Sequence, residues 1–320
     1  MTKVTIATFN CENLFRRYKF TTKAKPETIK KANEQLINEG VLLNEKFFTR
    51  IIDEEKKLTA QAILATNADI IALQEVENLE TLKSFVSNFL KNKGYHYQIL
   101  IDGNDMRLID VALISKIPFT NVRTNQFLKG TDKKNVFSRD CLEVDFEISG
   151  KPLTLFVNHF KSMMEMGEND PVKSRAATKP KREKQSKAVV DILNKRFNNQ
   201  PEKHNWIMMG DLNDYPDAHT GLDLLLKSGF MENVLDRLPK TERWTHFWDT
   251  SKVKEAEKYK QIDYLFLSKT LAQKNKTVKP IIVRNGLSPK AKKATDPRFT
   301  GVTDKIVASD HCPVAITLEI

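Results

Sequence analysis

Cysteine is scarce: 320 residues contain three, Cys11, Cys141 and Cys312. An odd number at wide spacing excludes a disulfide framework and a cysteine zinc pattern. Reduced thiols in a reducing compartment are the simplest expectation. Acidic charge is also in deficit, with 41 Asp and Glu against 52 Lys and Arg, a net charge of +11. Such a balance favours an anionic partner, a nucleic acid or an anionic membrane. The lysines are scattered, so a merely solvated basic surface stays open. No apolar run is long enough to span a membrane. No Pro/Gly/Ser linker, composition break or internal repeat divides the chain, and one domain over 1–320 is expected. The opening MTKVTIATFN leaves no room for a signal peptide's apolar core. The expected location is cytoplasmic, or secreted if a leader has been trimmed.

What is present is a series of apolar runs, in a composition 40% hydrophobic and 29% charged that suits a sizeable core. Residues 4–9 read as a buried strand. Residues 16–45 are polar and lysine-rich with few periodic apolar positions, a long excursion. Helical spacing places Leu58, Ala62 and Ala65 on one face over 53–66, and joins Leu82, Phe85, Val86 and Phe89 over 79–90. Strands are expected at 70–73, 96–101, 110–115, 142–148 and 153–159. Residues 163–180, charged and irregular, read as a surface loop. A helix over 183–197 turns Val189, Val190, Leu193 and Phe197 inward. Strands follow at 205–209, 262–267, 278–283 and 313–320. Many strands with fewer helices between them predict an α/β fold, a four-layer α/β sandwich of two packed mixed sheets flanked by helices.

Several strands end alike, in an apolar run followed by acids, amides or imidazoles. IATFNCEN brings Asn10 and Glu12, IIALQEVEN brings Glu75, and LTLFVNHFKS brings Asn158 and His159. WIMMGDLND brings Asp211 and Asn213, QIDYLFLS brings Asp263, and VASDHCPVAI brings Asp310 and His311. Each motif alone also suits a turn or a cap. Six in one chain point to a catalytic cleft. Carboxylates packed so closely push protons back onto one another unless a cation sits among them. Oxygen ligands suit a hard ion, Mg²⁺ or Mn²⁺, which commonly takes one or two carboxylates plus a substrate phosphate.

TFNCEN, LQEVEN, GDLND, QIDYLFLS and SDHCPV run in this order from residue 8 to residue 314. In wording and order they resemble the endonuclease/exonuclease/phosphatase superfamily, the fold of pancreatic deoxyribonuclease, abasic-site endonucleases, neutral sphingomyelinases and inositol-phosphate 5-phosphatases. The resemblance covers nearly the whole chain. It implies a metal set of Asn10, Glu75 and Asp310, with Glu12 as a further acid on the metal side. It implies that Asp211 and Asn213 position the nucleophile and a phosphoryl oxygen, and that Asp263 and His311 form a carboxylate–histidine pair. The histidine of NHFKS and the FSRD at 137–140 resemble the deoxyribonuclease and bacterial extracellular nuclease branch. Arg139 is then a substrate-phosphate ligand; a surface arginine on a strand edge is the other reading. Lys260 and Gln261 stand where abasic-site enzymes often place a tryptophan before the IDY-like motif.

The expected reaction is water attack at a phosphodiester of DNA or RNA, with His311 as general base oriented by Asp263 and His159 as general acid. A phosphoinositide or sphingomyelin-type phosphodiesterase or phosphatase, and an inactive nucleic-acid-binding module, remain as alternatives. Gly210, before Asp211, reads either as a close backbone approach or as an ordinary strand-ending glycine. His96, His204, His219 and His246 receive no role. Trp244 and Trp248 are expected in core packing rather than base stacking. The 16–45 excursion and the 163–180 loop are the expected determinants of substrate choice.

Overall fold

The computed structural model describes residues 2–15, 18–20, 48–50, 52–217, 219–251 and 253–320. Of the 16–45 excursion, only the strand β2 (Tyr18–Phe20) is described, pairing antiparallel with β3 (Phe48–Arg50); the rest of that expectation lies outside the described residues.

The first six-stranded sheet begins with β1 (Lys3–Leu14), β4 (Ile70–Val76), β5 (Tyr97–Leu100) and β6 (Asp110–Ser115). The second draws on β7 (Phe119–Arg123), β8 (Cys141–Ile148), β9 (Lys151–His159), β10 (Trp206–Asp211) and β11 (Met231–Asn233). A hairpin of β12 (His246–Phe247) and β13 (Tyr259–Lys260) follows. β14 (Asp263–Ser268) returns to the second sheet, and β15 (Ile281–Ile282) and β16 (Val314–Glu319) complete the first. The strand orders are β15-β16-β1-β4-β6-β5 and β11-β14-β10-β9-β8-β7. Both sheets mix parallel and antiparallel pairs: β1 runs parallel to β4, and β9 parallel to β10.

Side chains alternate across a strand, so each strand feeds two layers. Val4, Ile6, Val111, Leu155, Ile207 and Leu265 form one cluster between the sheets. Ala7, Phe9, Ile71 and Leu73 face the other way, against Leu58, Ile63, Leu82 and Phe85 of the helices Asp53–Ala65 and Leu79–Phe89. Phe156, Trp206, Met208 and Phe266 cover the outside of the second sheet, against Val189 and Leu193 of the helix Pro171–Arg196. The result is the expected sandwich, helix–sheet–sheet–helix.

Two expected elements differ. The 163–180 segment is not all loop: a helix starts at Pro171, capped by Asp170, whose Oδ1 accepts from the Val172 amide at 2.8 Å. The 278–283 strand shrinks to Ile281–Ile282, because Pro280 has no amide hydrogen for the ladder.

Candidate active site

β9, β10 and β14 lie side by side, and one rung across them carries His159, Asp211 and Asp263. Two residues earlier in β9 and β10 stand Val157 and Met209, and two later in β14 stands Leu265; all three belong to the inter-sheet core. Alternation therefore turns the whole rung toward the opposing sheet, where it is buried. Asn158, one residue out of phase, turns away and bonds the Phe156 carbonyl at 3.2 Å.

The first sheet meets this rung through β1. Asn10 continues the inward series of Val4, Ile6 and Thr8, and its Nδ2 donates to Asp211 Oδ2 at 3.0 Å. Glu75 has the wrong parity, since Ile71 and Leu73 point to the helical layer. The register shifts there, and Glu75 takes a left-handed φ of 61°. That bulge turns its carboxylate inward, with Oε1 at 3.9 Å from His159 Nε2. β1 bulges opposite, with Glu12 and Asn13 at φ 48° and 67°. The Asn13 amide then donates to Glu75 Oε2 at 3.0 Å, and the Glu12 amide to Asn10 Oδ1 at 3.0 Å.

The 309–311 segment is stapled onto this end. Ser309 Oγ donates to the Asn10 carbonyl at 2.8 Å, and the Asp310 amide to Glu12 Oε2 at 3.0 Å. His311 Nδ1 lies 2.9 and 3.1 Å from the two oxygens of Asp263, which also accepts from Thr245 Oγ1 at 2.7 Å. His311 Nε2 is left facing Asp211 Oδ2 at 3.9 Å and Asp310 Oδ1 at 3.8 Å. Asp211 is the hub: Oδ1 accepts the Asn213 amide at 2.8 Å, Oδ2 accepts Asn213 Nδ2 at 2.9 Å, and His159 Nε2 stands 3.4 Å away.

Charge divides the two imidazoles. Burial opposes a proton on His311, but Asp263, Asp211 and Asp310 outweigh it and hold its pKa well above the usual imidazole value. His159 goes the other way: burial and then the Arg139 charge lower it, against the pull of Asp211 and Glu75. Its buried Nδ1 has no hydrogen-bond partner, so it lacks the orienting carboxylate that His311 has. Burial alone would raise Asp211, yet its hydrogen bond to His159 and the charges of His311 and His159 hold it well below the carboxylate range.

Arg139 is not on the surface. It is 1% exposed, with Nε 3.2 Å from Asp105 Oδ2 and Nη1 donating to the Phe160 carbonyl at 3.2 Å. The same carbonyl accepts from Asn213 Nδ2 at 3.3 Å, which ties this arginine to the site from behind. Trp244 packs with Phe247, Tyr259 and Leu287, as expected of a core residue, and Trp248 is half-buried. The three cysteines are free and buried, and burial pushes the Cys312 thiol above its usual pKa, so it offers no thiolate beside His311.

His246 is the residue that sequence reasoning passed over. Its ring lies 4.7 Å from that of His311, and its Nε2 is 3.3 Å from Asp310 Oδ2. Nothing in RWTHFWDT signals this, because the contact comes from backbone pairing between the hairpin and the 309–311 segment.

The site fits a divalent cation. Glu12, Glu75 and Asp310 are all bonded into the Asn10–Asn13 turn, and among the described residues neither Glu75 nor Asp310 pairs with a lysine or arginine. Carboxylates gathered this way and faced by imidazoles rather than paired with lysine or arginine suit a hard ion. Two acid–imidazole groups among the described residues have ligand atoms all within 4.8 Å of one another: Asp211–Asp263–His311 and His246–Asp310–His311. Glu75 belongs to neither.

Comparison with known proteins agrees with this geometry. A model of the Endonuclease/Exonuclease/phosphatase family matches residues 5–319, and the chain belongs to that family. Its fold is that of divalent-metal-dependent phosphoester hydrolases. No curated protein sequence matches. Among solved structures, truncated Caenorhabditis elegans TDP2 is similar at 14% identity and a TM-score of 0.59, over 99% of this chain and 98% of that one. A Bacteroides thetaiotaomicron mannosyl-6-phosphatase gives 16% and 0.59, over 99% and 100%. A family protein of Leptotrichia buccalis gives 13% and 0.59, over 99% and 100%. At such identities the likeness is one of fold. No helix among the described residues is long and apolar enough to cross a membrane.

Proposed function

We propose that the chain is a Mg²⁺- or Mn²⁺-dependent nuclease that hydrolyses phosphodiester bonds of DNA or RNA. The observation that carries this reading is a pair of imidazoles flanking one buried carboxylate, His159 at 3.4 Å and His311 at 3.9 Å from Asp211 Oδ2. Substitution at phosphorus by water needs a proton removed from the nucleophile and one delivered to the leaving oxygen. Two imidazoles on either side of one carboxylate suit that division. The net charge of +11 suits a polyanionic substrate.

In this reading Asp211 orients the attacking water and Asn213 donates to a non-bridging oxygen. Both are preorganised by the buried strand behind them. His159 delivers the proton to the leaving oxygen, and Asp263 fixes His311 as the base with Nε2 toward the water. Arg139 supports the phosphate site through the Phe160 carbonyl rather than from the surface. A divalent cation would be held by Glu75, Asp310 and Asn10 Oδ1, with Glu12 behind; it would neutralise charge growing on the phosphoryl group, and its positive charge would weigh against a proton on His311.

The test is plasmid nicking with Mg²⁺ and with EDTA, beside assays for inositol-phosphate, lipid-headgroup and sugar-phosphate release. Metal-dependent nicking is expected, and His159→Ala and His311→Ala should each lose about two or more decades in single-turnover rate with folding intact. Headgroup or monoester release without nicking would replace the nuclease reading. Near wild-type rates in either variant would remove that histidine's role.

A further inference from the structure

We propose that His246, Asp310 and His311 form a site for a borderline transition metal such as Zn²⁺, and that filling it switches the active centre off. The nitrogens of His246 and His311 and a carboxylate oxygen of Asp310 lie within 4.8 Å of one another. The Asp310 carboxylate stands between the rings, with Oδ2 at 3.3 Å from His246 Nε2 and Oδ1 at 3.8 Å from His311 Nε2. Imidazole donors favour zinc, copper and nickel, whereas the oxygen ligands at Glu75 favour magnesium, so the two ends of the cleft differ in metal preference.

Two further features show a prepared site. His311 engages Asp263 through Nδ1 at 2.9 Å, which leaves Nε2 as the ligand atom and supplies the carboxylate–imidazole–metal arrangement that strengthens such ligands. The backbones carrying the three residues are zipped together. The Phe247 amide donates to the Asp310 carbonyl at 2.9 Å, and the Cys312 amide to the Thr245 carbonyl at 2.7 Å. No loop has to move to bring the ligands together. The Asp310 side chain is 40% exposed and the His246 side chain 15%, so an ion can enter from solvent while a fourth position stays open to water.

Binding follows from this geometry alone. The switching rests on the reading of His311 and Asp310 given above. An ion here takes the Nε2 lone pair of His311, releasing any proton it holds, and withdraws Asp310 from the oxygen-ligand end. Excess Mg²⁺ should not displace it, since magnesium competes poorly for imidazole.

The experiment uses the whole chain, with His246→Phe to keep a ring at the stack and His246→Gln in case phenylalanine impairs folding; thermal melts qualify both. Zn²⁺ is titrated against a chromophoric chelator in excess Mg²⁺, which reads affinity without turnover. The wild type should bind one Zn²⁺ per chain, and either folded variant should bind about tenfold or more weakly. Hydrolysis of bis(p-nitrophenyl) phosphate with Mg²⁺ should be inhibited by Zn²⁺, with the midpoint, read relative to each protein's own zinc-free rate, moved to about tenfold higher Zn²⁺ in the variant. No zinc binding above that of the variants, equal inhibition of variant and wild type, or bound zinc that leaves the rate unchanged or raises it overturns the proposal. If the wild type fails to nick DNA, the nuclease reading falls and the chelator titration still decides the site.

Discussion

Gly210 separates Met209 from Asp211 at φ 135°, and a Cβ built there would lie 1.9 Å from the Asn158 carbonyl oxygen of the adjoining strand. Of the two readings of this glycine, the close approach is the one found. The neighbour is backbone in a buried sheet and has nowhere to move. Gly210→Ala should lower stability by about 4 kcal/mol or more, or abolish soluble expression. A thermal melt within a few degrees of wild type would contradict this. Glu75 shows what a single residue hides. IIALQEVEN marks an acid at a strand end, but strict alternation would place it among the helices. Only the left-handed turn at φ 61° delivers it to His159. The identity of the acid was legible; the bulge that aims it was not, because a bulge depends on the partners of the strand.

The Pro171–Arg196 helix shows the same limit for a whole element. Up to Gln185 it buries Ser174, Thr178, Arg182 and Gln185, a polar stripe at helical spacing. A search for apolar periodicity misses such a stripe, and the segment read as loop up to Pro180. The polar face has partners instead. Ser174 Oγ and Thr178 Oγ1 both donate to the Met163 carbonyl at 3.1 Å, and Gln185 Oε1 accepts the Lys161 amide at 2.9 Å. Arg182 Nε meets Asp214 Oδ2 at 2.9 Å with both side chains fully buried, and Arg175 reaches the other oxygen at 2.7 Å. The helix thus holds the loops after His159 and Asn213 by hydrogen bonds rather than by grease. Asp214→Ala leaves a buried guanidinium without its anion and should destabilise the protein by roughly 3–5 kcal/mol in urea unfolding. A shift below about 1 kcal/mol would mean that water replaces the pair.

Over the whole molecule, the excess of basic side chains bears on substrate rather than fold. If polyanions bind across this surface, KM for DNA should rise steeply with salt, with a slope set by the number of phosphates neutralised. Hydrolysis of bis(p-nitrophenyl) phosphate, which carries a single charge, should change little over the same range. Parallel salt curves for the two substrates would reduce the lysines to a solvated coat. The acids, amides and imidazoles proposed to carry the metal and proton chemistry are concentrated where one end of each sheet faces the other, so the sandwich would act mainly as a rigid mount.

The sequence by itself determined which side chains are proposed to carry the chemistry and that most of them end a strand, because residue identity and period-two alternation are local properties. It also determined the two-sheet architecture and the family. Tertiary structure alone decided that His159, Asp211 and Asp263 share one rung, that Arg139 lies buried behind the site, that Glu75 turns inward, and that His246 stands against His311. Those relations are set by strand register, bulges and contacts between segments far apart in the chain, which no local pattern records.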